Sequence, residues 1–335
     1  MKRSVRSLAV VGAVAAVALT ISGCASSTTP SPTASTEKKL TIAFVMGAES
    51  DPFFQAMKVG ATEEAAASNV NLVWQGDPSH YDVATEVPIV ESVIASKPDG
   101  LVLIPTDPAG LQASSDKAVA AGIVVANVDT HTQDTSKAVL TITGDNADGG
   151  AKAADAIATA IGYTAGQSYD VVVGLTSATA TTNVGRLDGF KAQVAAKYPG
   201  IKIQDIAYSQ SNPQTAASNV SNWLTKFPNL KGIFAIDGTN ASGAAAALQS
   251  KNLVGKIALV GYDAYPANVA LIKAGVFTAL IAQDPAEEAR QAIKAIVNKI
   301  RNNQDPANHD VVIPNVTLDA NTSAADLAKY TYVAN

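Results

Sequence analysis

From residue 39 onward, short apolar runs rich in valine and isoleucine alternate with longer alanine-rich segments whose apolar positions recur at helical spacing. This is the pattern of βα units around a parallel sheet, whose strands are covered on both faces and therefore show nearly continuous hydrophobic runs. It predicts strands at 40–45, 71–74, 100–104, 122–127, 139–143, 170–175, 201–207, 232–236, 257–261 and 277–281. Helices are expected between them at 52–68, 82–96, 109–121, 149–162, 184–198, 213–227, 239–250, 267–274 and 284–302. Local punctuation agrees. Asp107-Pro108, Asn212-Pro213 and Asp284-Pro285 each place a capping residue before a proline whose fixed φ suits a first helical turn, and Pro199-Gly200 marks a stop.

The alternation runs twice, once before about residue 145 and once after it. With 335 residues, 47% of them hydrophobic and 16% charged, the chain exceeds the size at which one core usually divides. The fold class expected is α/β, with two similar doubly wound parallel-sheet lobes. A cleft between them would receive the carboxyl ends of both sets of strands, where such sheets bind ligands. A net charge of −5 and 5% aromatic residues provide neither a basic stripe nor a stacking platform, so nucleic-acid binding is set aside.

Before the folded body, Met1-Lys2-Arg3 and Arg6 form a positive segment, and Leu8 to Ile21 is an apolar stretch too short to span a bilayer comfortably. Residues 1–23 are expected to be an export signal. Cys24 is the only cysteine, so it cannot close an internal disulfide. Ile21-Ser22-Gly23-Cys24 resembles the lipobox of bacterial lipoproteins, which implies lipidation of Cys24 and a chain tethered to the membrane without crossing it. An ordinary cleaved signal with an incidental cysteine is the alternative. The rest of 24–38 is Ser, Thr and Pro with almost no large apolar residue, the composition of a flexible tether.

The residues that follow the predicted strands carry the candidate chemistry. Asp51-Pro52-Phe53-Phe54 follows the first: Asp51 can cap a helix that begins at Pro52, which puts Phe53 and Phe54 on its first turn. Aromatic faces there can stack on the C–H face of a sugar, although ordinary core phenylalanines would give the same pattern. Asp129 and Thr130 follow the fourth strand, Asp237 the eighth, Asp263 the ninth and Gln283 the tenth, while Arg186 lies early in a helix. Carboxylates and a guanidinium make charge-assisted hydrogen bonds and can grip neighbouring hydroxyls. Each aspartate alone would equally serve as a helix cap, but their recurrence in both halves favours a shared site.

Taken together in order, Thr41-Ile42-Ala43-Phe44 with Asp51-Pro52-Phe53-Phe54, Gly100 to Asp107, Gly144-Asp145-Asn146 with Gly149-Gly150, Arg186 with Gly189-Phe190, Val260-Gly261-Tyr262-Asp263 and Ala282-Gln283 form a recognisable set. The chain from Lys39 on resembles the periplasmic sugar-binding proteins of ABC transporters, specifically the ribose-binding-protein group. The resemblance implies the type I periplasmic binding fold, two lobes joined by three crossovers near 145, 283 and 315, with lobes 39–145 plus 284–315 and 146–283 plus 316–335. It also implies a ligand trapped by hinge closure and delivered to an ABC permease, with no cofactor or metal, in a monomer held at the outer face of the cytoplasmic membrane. Phe53 and Phe54 would flank the ring, and Asp51, Asp129, Arg186, Asp237, Asp263 and Gln283 would bond hydroxyls. Two departures from the ribose pattern stand out: Thr130 follows Asp129 where ribose binders carry arginine, and Ile104 precedes Pro105 where they place an amide. Asp51 and Asp237 also stand where asparagine is frequent. The pocket is richer in acceptors and poorer in donors, which points to a neutral sugar or polyol.

Two rival functions share these features. An exported glycosidase could use two of the aspartates, although none stands in a catalytic motif. A sensory binding protein for a sugar-like signal would differ only in its partner. Other motifs lapse on inspection. Gly144 to Gly150 has no Lys-Ser/Thr ending and carries two acids where a phosphate loop would not, and an EF-hand would need a ligand at Ala147. His80, His131 and His309 show no metal-ligand spacing.

Overall fold

The computed structural model describes residues 38–333. The expected export signal, Cys24 and the expected tether up to residue 37 lie outside the described residues. Among the described residues no helix is long and apolar enough to cross a membrane.

The chain first builds β1 (Leu40–Met46), β2 (Val70–Gly76), β3 (Gly100–Ile104), β4 (Val124–Val128) and β5 (Leu140–Gly144). A second series follows: β6 (Tyr169–Leu175), β7 (Ile201–Tyr208), β8 (Leu230–Ala235), β9 (Ala258–Tyr262) and β10 (Ala279–Ala282). Two late strands, β11 (Asp310–Ile313) and β12 (Val316–Asp319), complete one sheet each. The sheets run β2-β1-β3-β4-β5-β11 and β7-β6-β8-β9-β10-β12, so both repeat one topology. All pairings are parallel except that of β10 with the edge strand β12. Inner strands such as β3 are buried along their whole length because helices cover both faces, while the edge strands β2 and β7 are partly exposed.

Helices α1 (Pro52–Ala67), α2 (Val83–Ala95) and α3 (Gln112–Ala120) link the strands of the first sheet. The chain then enters the second half through α4 (Asn146–Ala160), and α5 (Thr181–Lys197), α6 (Pro213–Lys226), α7 (Gly238–Ser250) and α8 (Pro266–Ile272) link its strands. It returns through α9 (Pro285–Asn302), which packs on α1, β4 and β5, and ends in α10 (Ala324–Tyr330). The chain thus passes between the sheets three times, at Asp145, between Ala282 and Pro285, and between Ile313 and Val316. These passages lie side by side: a Cβ on Gly144 would sit 2.7 Å from Gln283 Oε1 and 3.0 Å from Asn315 Oδ1.

Elements differ from expectation mainly at starts. Helix α3 begins at Gln112 because Asp107 first caps a turn, accepting from Ala109 N at 3.0 Å and Gly110 N at 2.7 Å. Helix α4 begins at Asn146 because Asp145 caps it through Asp148 N at 3.0 Å. β11, β12 and α10 had not been anticipated. The two strands have four residues each and sit at sheet edges around Pro314-Asn315, so neither carries a buried apolar run.

Candidate functional site

In each sheet the strand order reverses, between β1 and β3 in one and between β6 and β8 in the other. Such reversals open a crevice at the carboxyl ends of the strands. Here the two crevices face each other and their side chains line one cavity.

From the first sheet, Asp51 caps α1, its Oδ1 accepting from Phe53 N at 2.9 Å, with Pro52 next at the first helical position. That cap sets Phe53 and Phe54 edge to face at 5.4 Å on the cavity wall. Asp129 follows β4 with a φ of 60°, a left-handed conformation that aspartate tolerates better than most residues. Its N–H donates to Ile142 O at 2.8 Å, which anchors the turn to β5 while the carboxyl lines the cavity.

From the second sheet, Asp263 follows β9 in the same way, with a φ of 67° and its N–H donating to Ile281 O at 2.8 Å. Its carboxylate accepts from Gly238 N at 2.9 Å, Gln283 Nε2 at 2.8 Å and the Tyr332 hydroxyl at 2.9 Å. Asp237 caps α7 through Asn240 N at 2.8 Å and also accepts from Thr176 Oγ1 at 2.7 Å. Arg186 owes its position to a close crossing of α4 and α5: a Cβ on Gly150 would lie 2.0 Å from Arg186 O, and one on Gly189 would lie 2.1 Å from Ala147 O. Its guanidinium stacks 3.8 Å from the centre of the Tyr262 ring and donates to Asn146 Oδ1 at 2.8 Å and Ile236 O at 3.0 Å.

Asp51 also reaches across the cleft. The Tyr265 hydroxyl donates to its Oδ1 and the Thr239 hydroxyl to its Oδ2 at 3.1 Å. Outside this contact a groove of ≈ 620 Å³ opens between the lobes, past Ser50, Ser79, Gln214 and Ala267. Asp51 and Tyr265 line both the groove and the inner cavity, so their bond partitions one from the other.

The cavity is acidic, and burial governs its charge. Burial lifts Asp51 to about 6 against the bonds from Tyr265 and Phe53 N. It lifts Asp129 to about 7, with Arg186 pulling the other way, and it raises Asp237 despite the bonds from Asn240 and Thr176. For Arg186 burial alone would lower the value, but Tyr262, Asp263, Asp129 and Asp237 outweigh it and hold the guanidinium charged. The walls therefore offer carboxyl oxygens, one cation and apolar rings. That chemistry suits a polyhydroxylated ligand.

Of the residues expected in the site, Asp51, Phe53, Phe54, Asp129, Arg186, Asp237, Asp263 and Gln283 line the cavity. Thr130 does not; it is buried behind the wall, where its hydroxyl donates to Pro105 O at 2.8 Å. Cys24 lies outside the described residues. Tyr81, Thr176, Thr182, Asn183, Ser211 and Tyr265 also line the cavity and had not been expected there. Thr176 directly follows β6, so the strand-end rule would have reached it. Tyr81 lies in the loop between β2 and α2 and has no such signal. Trp74, on β2, stacks on Phe44 of β1 at 4.6 Å.

Comparison with known proteins shows what the whole chain resembles. The sequence model of the family described as "Periplasmic binding protein domain" matches residues 42–304. The D-ribose/D-allose-binding protein of Pseudomonas aeruginosa is 30% identical over 264 residues, covering 76% of this chain and 81% of that protein. The xylitol-binding protein of Mycolicibacterium smegmatis is 26% identical over 273 residues, covering 80% and 74%. An ABC transporter solute-binding protein from Agrobacterium vitis, solved with α-D-tagatopyranose, superposes with a TM-score of 0.82 at 28% identity, covering 88% of this chain and 100% of that one.

Proposed function

The chain belongs to the periplasmic binding protein family, within the sugar-binding group of ABC transporter solute-binding proteins, and from that membership we propose that it captures a neutral sugar or polyol and delivers it to an ABC importer. The observation that carries this reading is the cavity at the two sheet reversals, where acceptors and aromatic faces from both lobes surround a single guanidinium. Asp51, Asp129, Asp237, Asp263, Gln283 and Arg186 are the proposed partners for ligand hydroxyls, with Phe53 and Phe54 against the C–H face. An anionic ligand would meet several carboxyls and only Arg186 to balance it. The xylitol-binding and ribose/allose-binding relatives bracket the proposed class of ligand.

The bodies proposed to move are 39–145 plus 284–315 and 146–283 plus 316–335, hinged where the three passages lie together. An open form would admit the ligand past Asp51 and Tyr265, and contacts from both lobes would stabilise the closed form. Export by residues 1–23 and lipidation of Cys24 would hold the monomer at the outer face of the cytoplasmic membrane, close to a permease; the lipobox-like sequence supports this part. The test is thermal unfolding of residues 38–335 against a panel of pentoses, hexoses, polyols and sugar acids. A ligand at about 1,000 times its dissociation constant adds roughly 4 kcal/mol to the native state and raises the midpoint by several degrees. A neutral sugar or polyol is expected to give that shift. A sugar acid giving the largest shift would overturn the reading.

A further inference from the structure

One buried carboxyl outside the cavity lining has no assigned role. Glu288 lies in the first turn of α9, is 0% exposed, and neither of its oxygens has a hydrogen-bond partner. A charged carboxylate left so would forfeit several kcal/mol of solvation, and buried polar groups are almost always paired. Helix α9 packs against β4 and β5, and Asp129 follows β4. Asp129 has an orphan of its own: its Oδ1 is buried without a partner while its carboxyl lines the cavity. Two acceptors cannot satisfy each other unless one carries a proton.

We propose that Glu288 is held as a neutral carboxylic acid that donates its proton to Asp129 Oδ1, and that it is thereby a positioning residue for ligand capture. One shared proton satisfies both orphans, keeps a single negative charge on the pair, and fixes the Asp129 carboxylate with its other oxygen free for a ligand hydroxyl. The inference rests on the reading of Asp129 as a ligand contact. The charges around Glu288 agree. Burial pushes it well above the ordinary range; Asp129 is the neighbour that weighs most, Arg186 opposes, and Asp284 and Asp263 add to the rise. On α1, Glu63 and Glu64 are engaged farther along α9 by Arg290 at 2.8 Å and Lys294 at 3.4 Å.

The sign of the linkage follows. Both acids are raised, so the native, closed protein binds more protons than the unfolded chain at neutral pH. Stability from the pair is complete below the ordinary carboxyl range and is lost as pH rises through the native values. Ligand affinity should then fall by up to about tenfold per pH unit once the pair's proton is being lost, because closure must take one up.

The test has two arms. Infrared spectroscopy of the unliganded protein at pH 7 should show a protonated-carboxyl carbonyl band that disappears in Glu288→Gln. Calorimetric titration with D-ribose, D-allose and xylitol across pH 6 to 9 should show affinity falling with pH in the parent. Glu288→Gln, whose amide still donates to Asp129, should bind as the parent does at pH 6 and lose the pH dependence; Glu288→Leu should bind weakly throughout. Absence of the band, or an unchanged pH profile in Glu288→Gln, would overturn the proposal. If none of the three sugars binds, the proposed ligand class is at fault, and the band still decides the fate of the pair.

Discussion

Asp129 and Asp263 occupy matching places in the two lobes. Each follows the fourth strand of its half, each has a left-handed φ, and each donates its N–H to the neighbouring strand at 2.8 Å. Their side chains differ. Asp263 already has three hydrogen-bond donors, whereas Asp129 Oδ1 has none. The contrast extends to other buried groups: Asp237 and Arg186 in the second lobe are bonded to Asn240, Thr176, Asn146 and Ile236, while both oxygens of Glu288, on the helix α9 that packs against β4, lack a hydrogen-bond partner. One backbone device has thus been given two uses. The second lobe's acids are already ordered by hydrogen bonds within that lobe, and in the first lobe Asp129, unlike Asp51, presents a free acceptor that a ligand or a proton must satisfy.

The largest effect on this contrast should come from Arg186, the only cation lining the cavity among the described residues. Arg186→Ala would leave the facing carboxyls uncompensated and free Asn146 Oδ1 and Ile236 O. Removing one partner of a buried charged pair costs about 3–5 kcal/mol, so calorimetry should find ligand binding abolished or weakened by more than a hundredfold. Arg186→Lys should restore little, since one ammonium cannot make both bonds and stack on Tyr262. Binding within twofold of the parent would dissolve the picture of an ordered second half-site.

A paired comparison sharpens it further. Asp129→Asn should weaken binding by about 1.5–3 kcal/mol, the scale of a charged hydrogen bond, with the urea midpoint at pH 8 unchanged or higher, because a burdened buried acid has been removed. Asp237→Asn in the second lobe should do the reverse and lower the midpoint more than the affinity, since three internal bonds depend on its carboxylate. Should the two variants behave alike, the division of labour between the lobes is wrong.

A smaller effect is expected at the partition. Tyr265→Phe removes the hydroxyl that reaches Asp51 across the cleft and with it about 1 kcal/mol favouring closure without ligand. Small-angle scattering should then show a larger unliganded radius of gyration, with the liganded value unchanged. Equal unliganded values in parent and variant would mean that the bond does not hold the lobes together.

How much of this could be seen in the sequence varied with the physics behind each feature. The inner strands were legible because a sheet covered on both faces demands uninterrupted apolar runs such as Leu101 to Ile104, all buried. The cavity acids were legible because they cap helices or end strands, positions that the pattern itself marks. β11, β12, Tyr81 and Glu288 were not. The first two are short edge strands, Tyr81 sits in a loop, and Glu288 reads as an ordinary acid in the first turn of a helix. Only the packing of α9 on β4 reveals that this acid is buried.

Thr130 is where the family pattern and the geometry part, and it yields the smallest predicted effect. The sequence places it where ribose binders carry arginine, next to an acid that lines the cavity, so a role in ligand contact was the natural expectation. The turn that aims Asp129 inward sends the next side chain back, and the Thr130 hydroxyl is spent on Pro105 O at 2.8 Å, joining the ends of β3 and β4. Thr130→Val keeps the shape and removes that donor. It should lower stability by about 1 kcal/mol in urea unfolding, the net worth of a neutral hydrogen bond, and leave ligand affinity within about twofold. A large loss of affinity at unchanged stability would return Thr130 to the wall of the cavity.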